Sequence, residues 1–460
     1  MADIIQPRTL KGFRDYPPHL MIPREQLLEK ARAVYRSYGF APIDTPALEY
    51  AEILCGKGGE ETERLIYRFT DRGEREVALR FDLTVPFARF AAQHIGQLGT
   101  PFKRYHMGPV WRGENTAHGR YREFWQCDFD IIGTTSNAAD VEIALVIHDL
   151  MRALGFERFS IRVNNRLLLN GLLEELALAP NATEVLRALD KLAKIGREAV
   201  AEEMMQTASL SSQQANRILT LAEMTGSTAE ILARVEKEFG HNPKVADGLQ
   251  RLRELVEVTT QAGVAPEHVR LDLAIARGLD YYTGTIFETF LTDLPAIGSV
   301  CSGGRYDNLA GKYTKQQLPG VGSSLGLDRL LAGMEEMGLL PKTATPAPVL
   351  MVQFEAARLG AYQRLARQLR AEGLGVEVYP EAKKVGAQLQ YAERRGFLAA
   401  LIAGPDEFAQ GVWKLKDLTS RAEETVPEAE VAAAIRGILS KIAQRGTPVQ
   451  GSGTGEKHGS

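Results

Sequence analysis

Along the first 165 residues, hydrophobic and polar positions repeat with two different periods, and each change of period marks a new element. In IPREQLLEKARAVYRSYG (22–39), Leu27, Ala31, Val34, Tyr35 and Tyr38 form one stripe at helical spacing, and Gly39 supplies the C-terminal stop. A short strand around Phe40 to Ile43 is expected next. REVALRFDLT (75–84), KRYHMGPVWR (103–112) and REFWQCDFDIIG (122–133) carry aromatic and β-branched residues in partial alternation between Gly or Pro, which predicts neighbouring antiparallel strands. ADVEIALVIHDLMRALG (139–155) returns to the helical period and closes at Gly155, and RFSIRVN (158–164) reads as a further strand.

From 181 to 260 the pattern is helical throughout. Phe239 is the single aromatic in a stretch rich in Ala, Leu, Glu, Lys and Arg, which predicts a helical insertion with a thin core of its own. Strands resume in VRLDLAIARGLDYYTGTIFETFL (269–291), and a glycine-rich stretch runs from Gly303 to Gly326, so the first sheet is expected to be completed after the insertion. The expected organisation is one domain in two segments, 1–180 and 261–340, interrupted by an insertion at 181–260. PKTATPAP (341–348) reads as a linker. Residues 349–444 then show β-α-β-α-β order: VLMVQF, helix GAYQRLARQLRAEG, GVEVYP, helix VGAQLQYAERRG, LAALIAG, the strand GVWKLKDL and a final helix from Pro427. That order predicts a small three-layer α/β domain with a mainly parallel sheet. The tail 445–460 has no apolar periodicity and is expected to be disordered.

Composition narrows the class. No apolar run approaches the roughly 18 residues of a membrane span, and the N-terminus lacks the apolar core of a secretory signal, so a cytoplasmic protein with no membrane association is expected. Cys55, Cys127 and Cys301 lie far apart without a C-x-x-C pair, which points to ordinary thiols and away from a zinc knuckle or a disulfide framework. A net charge of -3 argues against coating nucleic acid through bulk charge and leaves room for a local basic cleft.

Four stretches could carry chemistry. KRYHMGPVWRGENTAHGRYR (103–122) sets five cations, Lys103, Arg104, Arg112, Arg120 and Arg122, against one acid, Glu114. Arg112 and Glu114 are expected on one side of a strand end, Arg120 and Arg122 on one face of the next strand, with GENTAHG as the hairpin loop between. Such a pocket suits a polyphosphate, since arginine offers planar bidentate donors; a solvated basic hairpin is the simpler reading from charge alone. EFWQCDFD turns Phe124, Gln126, Asp128 and Asp130 one way, as the floor of a polar ligand site or as a wet sheet face. GVGSSLGLDRLLAGM (320–334) places Asp328 and Arg329 at the head of a helix. The helix dipole favours the aspartate there but not the arginine, which a bound anion would explain; an ordinary strand–turn–helix is the alternative. RGLDYYTG (277–284) is either an aromatic hairpin or an arginine aimed at a ligand.

In combination the stretches say more. A helix and strand ending near Pro46, then R-G-E followed by GRYREFWQ, then G-L-G-L-D-R, resemble the three motifs of class II aminoacyl-tRNA synthetases. LKGFRDYPP, RFDLTVPFARF, GRYREFWQCDFDIIG, ARGLDYYTGTIFE and GGRYDNL resemble the histidyl-tRNA synthetase family in particular, over nearly the whole chain to about residue 442. The resemblance implies an α+β catalytic domain on an antiparallel sheet, a helical insertion that clamps the acceptor stem, and a C-terminal α/β domain that reads the anticodon. It implies ATP as a substrate, Mg²⁺ on the ATP phosphates without dedicated protein ligands, L-histidine and tRNA(His) as partners, and a homodimer.

The resemblance also implies roles. Arg112 would hold the α-phosphate and the histidine carboxylate, Phe124 would stack on adenine, and Arg329 would reach the terminal phosphate. Glu114 would meet metal or adenine, and Arg120 a phosphate. Asp82, Thr84 and Gln126 would take the amino group and nearby polar atoms of histidine, Asp130 and Tyr282 the imidazole, with Tyr281 and Tyr306 lining the same pocket. Arg277 would face Arg112 across the α-phosphate, acting with it in catalysis. Gln388, Gln390 and Arg394 are candidates for anticodon contact. Two features depart from other branches of the family: DLT stands where many bacterial members carry P-E-G-T, and GENTAHG has no second arginine after Arg112. The competing readings are a non-catalytic, histidine-sensing paralogue that regulates histidine biosynthesis, a class II synthetase for another amino acid, and a bare tRNA-binding module.

Overall fold

The alternating segments pair into a sheet in the computed structural model, which describes residues 4–55, 63–278, 282–340 and 344–446. Its strands, in chain order, begin with β1 (Ala41–Pro42), β2 (Leu48–Tyr50), β3 (Arg68–Thr70), β4 (Glu76–Leu79), β5 (Phe102–Trp111) and β6 (Glu123–Ile132). They continue with β7 (Phe159–Asn165), β8 (Val269–Leu271), β9 (Thr285–Leu291), β10 (Ser299–Tyr306) and β11 (Gly320–Gly326). The main sheet has the order β1-β5-β6-β11-β10-β9-β7-β8. From β5 to β7 all neighbours are antiparallel, while β1 and β8 lie parallel to theirs. β6 thus pairs on one side with its sequence neighbour and on the other with β11, which joins after the helical segment.

Helix Asn137–Leu154 covers this sheet with Ile143, Ala144, Ile147, Leu150 and Met151, all buried. Ile143, Ile147, Leu150 and Met151 each contribute roughly 1.5–3 kcal/mol relative to leaving them exposed. The helix starts where Ser136 accepts the Ala138 N–H and ends at left-handed Gly155.

REVALRFDLT is not one strand. Only Glu76–Leu79 is extended, as the middle strand of a separate sheet β2-β4-β3, and Thr84 opens helix Thr84–Leu98. The reason is local: Asp82 Oδ1 accepts the Val85 N–H at 3.0 Å, satisfying a first-turn donor of the helix, and Pro86 needs no donor there. Nor is 269–291 a hairpin, because β8 and β9 flank β7 on opposite sides.

Between Ala182 and Gln261 lie five helices, two of them opened by capping boxes, Ser211 with Gln214 and Ser227 with Glu230. Their core is not separate. Val185, Leu189, Met204 and Leu219 pack in one cluster with Leu169 and Leu173 and with Ile275, Ala276 and Ile286, which bracket RGLDYYTG.

Contacts divide the chain into two compact units, one holding Arg24–Leu339 and the residues before Tyr16, the other Tyr16–Pro23 and the residues from Leu340. The second unit has a sheet of β12 (Val349–Met351), β13 (Val376–Val378), β14 (Ala399–Ile402), β15 (Val412–Asp417) and β16 (Glu423–Pro427), in the order β13-β12-β14-β15-β16. The first three are parallel, and β15 and β16 are antiparallel. β16, EETVP, lacks the apolar alternation that would announce a strand, since Val426 alone is buried. It occupies the start expected for the last helix, which begins at Val431 instead. Gln388 does not face solvent: its side-chain oxygen accepts the Gln353 N–H at 2.9 Å and its amide donates to the Gln353 carbonyl at 2.8 Å, a buried clamp. That removes it as an RNA contact, while Gln390 and Arg394 are exposed.

Candidate active site

Asp82, Thr84, Arg112, Glu114, Arg120 and Phe124 line one cavity of about 380 Å³ in the first unit. Gln126, Asp130, Arg277, Tyr282, Tyr306 and Arg329 line the same cavity. Tyr281 lies outside the described residues.

The floor is β6. Its alternation turns Phe124, Gln126, Asp128 and Asp130 into the cavity, and the register with β5 and β11 sets Asp130 between Arg104 and Gly322. Asp82, Asp128 and Asp130 are each 3 % exposed or less. Tyr306 Oη donates to Asp130 Oδ1 at 2.5 Å, and Arg104 Nη2 stands 2.7 Å from Asp130 Oδ2 and 3.7 Å from Asp128 Oδ2. The Arg104 contact with Asp130 is an ion pair and not a directed hydrogen bond, because it lies off the N–H direction, so Oδ2 retains acceptor capacity.

Arg104 therefore does not belong to the basic cluster expected from its neighbours in sequence. It lies at the far end of β5, as does Lys103, which pairs with Glu142. Arg120 and Arg122 do not share a strand face either, since β6 begins only at Glu123. Arg120 Nη2 meets Glu114 Oε2 at 2.7 Å, and Arg122 Nε donates to the Glu114 carbonyl at 3.2 Å.

Four cations surround the other part of the cavity. Arg112 Nε donates to the Phe81 carbonyl at 2.8 Å, and its guanidinium lies 5.2 Å from the centre of the Phe124 ring. Arg329 Nη1 donates to the Ser299 carbonyl at 2.7 Å, while its neighbour Asp328 accepts the Trp125 N–H at 2.6 Å and ties the helix head to β6. Burial lowers the pKa of Arg329, and Arg277 and Arg120 lower it further by repulsion. Arginines close enough to repel one another are an arrangement that an anion would relieve. The cavity thus joins buried carboxylates to half-exposed guanidiniums, and it suits a ligand that is cationic or proton-donating at one end and polyanionic at the other.

Gly278 and Tyr282 approach each other closely. Gly278 has φ +72°, and a Cβ there would lie 1.9 Å from the Tyr282 ring, so only glycine lets Tyr282 fold back beside it.

Burial raises the carboxyl of Asp128 to about 7, with Arg104 opposing and Asp130 adding to the shift. An unfolded aspartate titrates near ~3.9, so the folded protein holds a proton that the unfolded chain releases, and unfolding free energy falls as pH rises between these values. Asp128→Asn removes that dependence. Relative to the parent, the variant gains up to about 4 kcal/mol between pH 4 and pH 8 in urea denaturation, and a difference that stays constant with pH would refute this titration.

An antiparallel sheet that gathers arginines from the β5–β6 connection, from 277–284 and from the helix after β11 is the catalytic fold of a class II aminoacyl-tRNA synthetase. The chain belongs to the histidyl-tRNA synthetase family, whose model matches residues 12–330, and an anticodon-binding domain matches residues 348–438. It is 57 % identical over 423 residues to the histidine–tRNA ligase of Rhodopirellula baltica, covering 92 % of this chain and 96 % of that one. It is 45 % identical over 434 residues to the histidine–tRNA ligase of Wolinella succinogenes, covering 94 % and 98 %. The crystal structure of histidyl-tRNA synthetase from Nostoc sp. superposes with a TM-score of 0.86 at 35 % identity, covering 94 % of this chain and all of that one.

The resemblance leaves without a role Asp128, which lines the cavity, and Arg104 and Glu288, which pair with lining residues. Asp128 had a signal in the alternation of β6. Glu288, which pairs with Arg277, had none, because the path of the chain between 277 and β9, which no local pattern reports, brings the two together.

Proposed function

We propose that the protein activates L-histidine with ATP and transfers it to the 3′ end of tRNA(His). The observation that carries this reading is the single cavity in which buried Asp130, bonded to Tyr306, meets the cluster of Arg112, Arg120, Arg277 and Arg329. The carboxylate of histidine attacks the α-phosphorus of ATP, the bond to the bridging oxygen breaks, and pyrophosphate leaves. A hydroxyl of the terminal ribose of the tRNA then attacks the carbonyl carbon of the adenylate, so that an ester to histidine forms, the anhydride bond breaks and AMP leaves. No side-chain nucleophile is needed; the protein supplies position and positive charge where the phosphorus gathers negative charge.

In this reading Arg112 and Arg277 hold the α-phosphate, Phe124 stacks on adenine, and Arg329 and Arg120 take the outer phosphates. Asp82, Thr84 and Gln126 receive the amino group, and Asp130 with Tyr282 and Tyr306 the imidazole. A buried carboxylate with free acceptor capacity rejects side chains that lack a ring N–H, since it would be left unpaired. Glu114, an oxygen donor at the cavity, fits a hard cation that takes its other ligands from phosphate. Mg²⁺ bound there with ATP would supply positive charge to the phosphates.

A homodimer and a cytoplasmic location belong to the same reading. Edge strands β2 and β3 expose Leu48, Tyr50 and Phe69, an apolar surface that supports association, and among the described residues no helix is long and apolar enough to cross a membrane. The insertion at 181–260 would meet the acceptor stem and the domain at 349–444 the anticodon. The histidine-sensing reading has less support, because the anticodon-binding match and all four arginines are present.

Histidine-dependent exchange of pyrophosphate into ATP tests the proposal: exchange with histidine and Mg²⁺ is expected, and its absence in folded protein would overturn it. Gly322→Ala provides a sharper check on the imidazole site. A Cβ on Gly322 would lie 2.1 Å from Asp130 Oδ1 and 2.7 Å from the Phe129 carbonyl. The aspartate must shift, and the KM for histidine in exchange should rise about tenfold or more, since misplacement by ~1 Å can cost 10²-fold; an unchanged KM would separate Asp130 from histidine recognition.

A further inference from the structure

The fold holds Arg277 by a group with no place in the scheme above. We propose that Glu288 on β9 is a positioning residue for Arg277, its carboxylate fixing the guanidinium at the cavity wall while leaving the N–H groups aimed at substrate. This rests on the proposed adenylation chemistry.

Three observations converge on it. Arg277 Nη1 lies 2.8 Å from Glu288 Oε1, yet that oxygen accepts no hydrogen bond, so the contact is Coulombic and off the N–H direction. Among the described residues the Arg277 guanidinium makes no directed hydrogen bond, so its donors remain uncommitted. Glu288 is 8 % exposed and sits inside the main sheet, in register with Ser302 of β10 and Arg162 of β7. Arg162 on the neighbouring strand is occupied by Asp272 at 2.9 Å, and the ion pair that Glu288 makes is with Arg277. Burial raises the Glu288 carboxyl, and Arg277 most strongly, with Lys194 behind it, draws it back down.

Arg277 itself belongs to no helix or strand, so its backbone needs separate restraint, and Arg166 supplies it. Arg166 Nη2 donates to the carbonyls of Ala276 at 3.1 Å and Arg277 at 2.8 Å, and the Arg166 N–H donates to the Gly284 carbonyl at 2.8 Å. One residue thereby ties both ends of the segment, and Glu288 fixes the flexible side chain that leaves it. A side chain so placed enters the reaction without first being ordered.

The test uses the full-length protein and histidine-dependent pyrophosphate exchange with Mg²⁺. Glu288→Gln is expected to lower kcat by about ten- to a hundredfold, the scale of a slightly misplaced catalytic group, with the KM for histidine within about twofold. Glu288→Asp, which keeps the charge on a shorter stem, is expected to recover part of that loss. In an Arg277→Ala background, Glu288→Gln should change kcat by less than about twofold, since a residue that acts through another has no effect once the other is gone. Parental kcat in Glu288→Gln, no recovery in Glu288→Asp, or an equal loss in the Arg277→Ala background would each overturn the assignment. Absence of exchange in the parent protein would instead remove the adenylation reading and the inference with it.

Discussion

Arg277→Ala lowers the rate of histidyl-adenylate formation by about 10²–10³-fold, corresponding to about 2.7–4 kcal/mol of lost transition-state stabilisation. The KM for histidine should move little. Arg277 is 38 % exposed and, among the described residues, makes no directed hydrogen bond through its guanidinium, while the buried acids that would recognise the amino acid lie elsewhere in the cavity. Single-turnover adenylate formation and exchange kinetics measure the two quantities separately. A rise in KM with unchanged kcat would make Arg277 a ground-state binding residue.

Removing the charge of Arg104 is expected to have the largest effect on stability. Arg104 is completely buried, stands 2.7 Å from Asp130 and 3.7 Å from Asp128, and donates to the Leu83 carbonyl at 3.2 Å. Its guanidinium also lies 4.3 Å from the Phe87 ring centre. Deleting one partner of a buried pair leaves an uncompensated charge and costs about 3–5 kcal/mol, whereas an exposed pair is worth only about 0–1 kcal/mol. Arg104→Met should therefore shift the urea midpoint far more than Arg120→Met, whose pair with Glu114 is half-exposed. Adding Asp130→Asn to Arg104→Met should restore part of the loss, since the stranded carboxylate is then gone. Equal midpoints for the two arginine variants would show that Arg104 does not balance these acids.

These two arginines also show what could be read from the chain. The face Phe124, Gln126, Asp128 and Asp130 was legible because a strand has a fixed period of two, and the arginines at 112, 277 and 329 stood in stretches of family-like sequence. Arg104 misled because cations were grouped by nearness in sequence: eight residues of extended chain at ~3.3 Å each carry it some 25 Å from Arg112. Glu288 and Gln388 were opaque for a related reason, since each has a partner fixed by the tertiary fold that no local pattern reports. Val77, Leu79 and Phe81 alternate up to Asp82 and Thr84 as a strand would; the helix start that follows depends on a single carboxylate and the Val85 N–H.

The late arrival of β11 has a consequence for biosynthesis. β6 is made early, but its second neighbour lies nearly 200 residues downstream, and β7 waits for β9 across the helical segment. A nascent chain ending before Thr285 presents unpaired edges on β6 and β7, and such edges template pairing between chains. The five helices from Ala182 to Gln261 emerge in that interval with mostly local contacts that form quickly. The core of the first three is completed by Ile275, Ala276 and Ile286, so the same short stretch of chain that leads into β9 also closes the helical cluster and brings Arg277 into place.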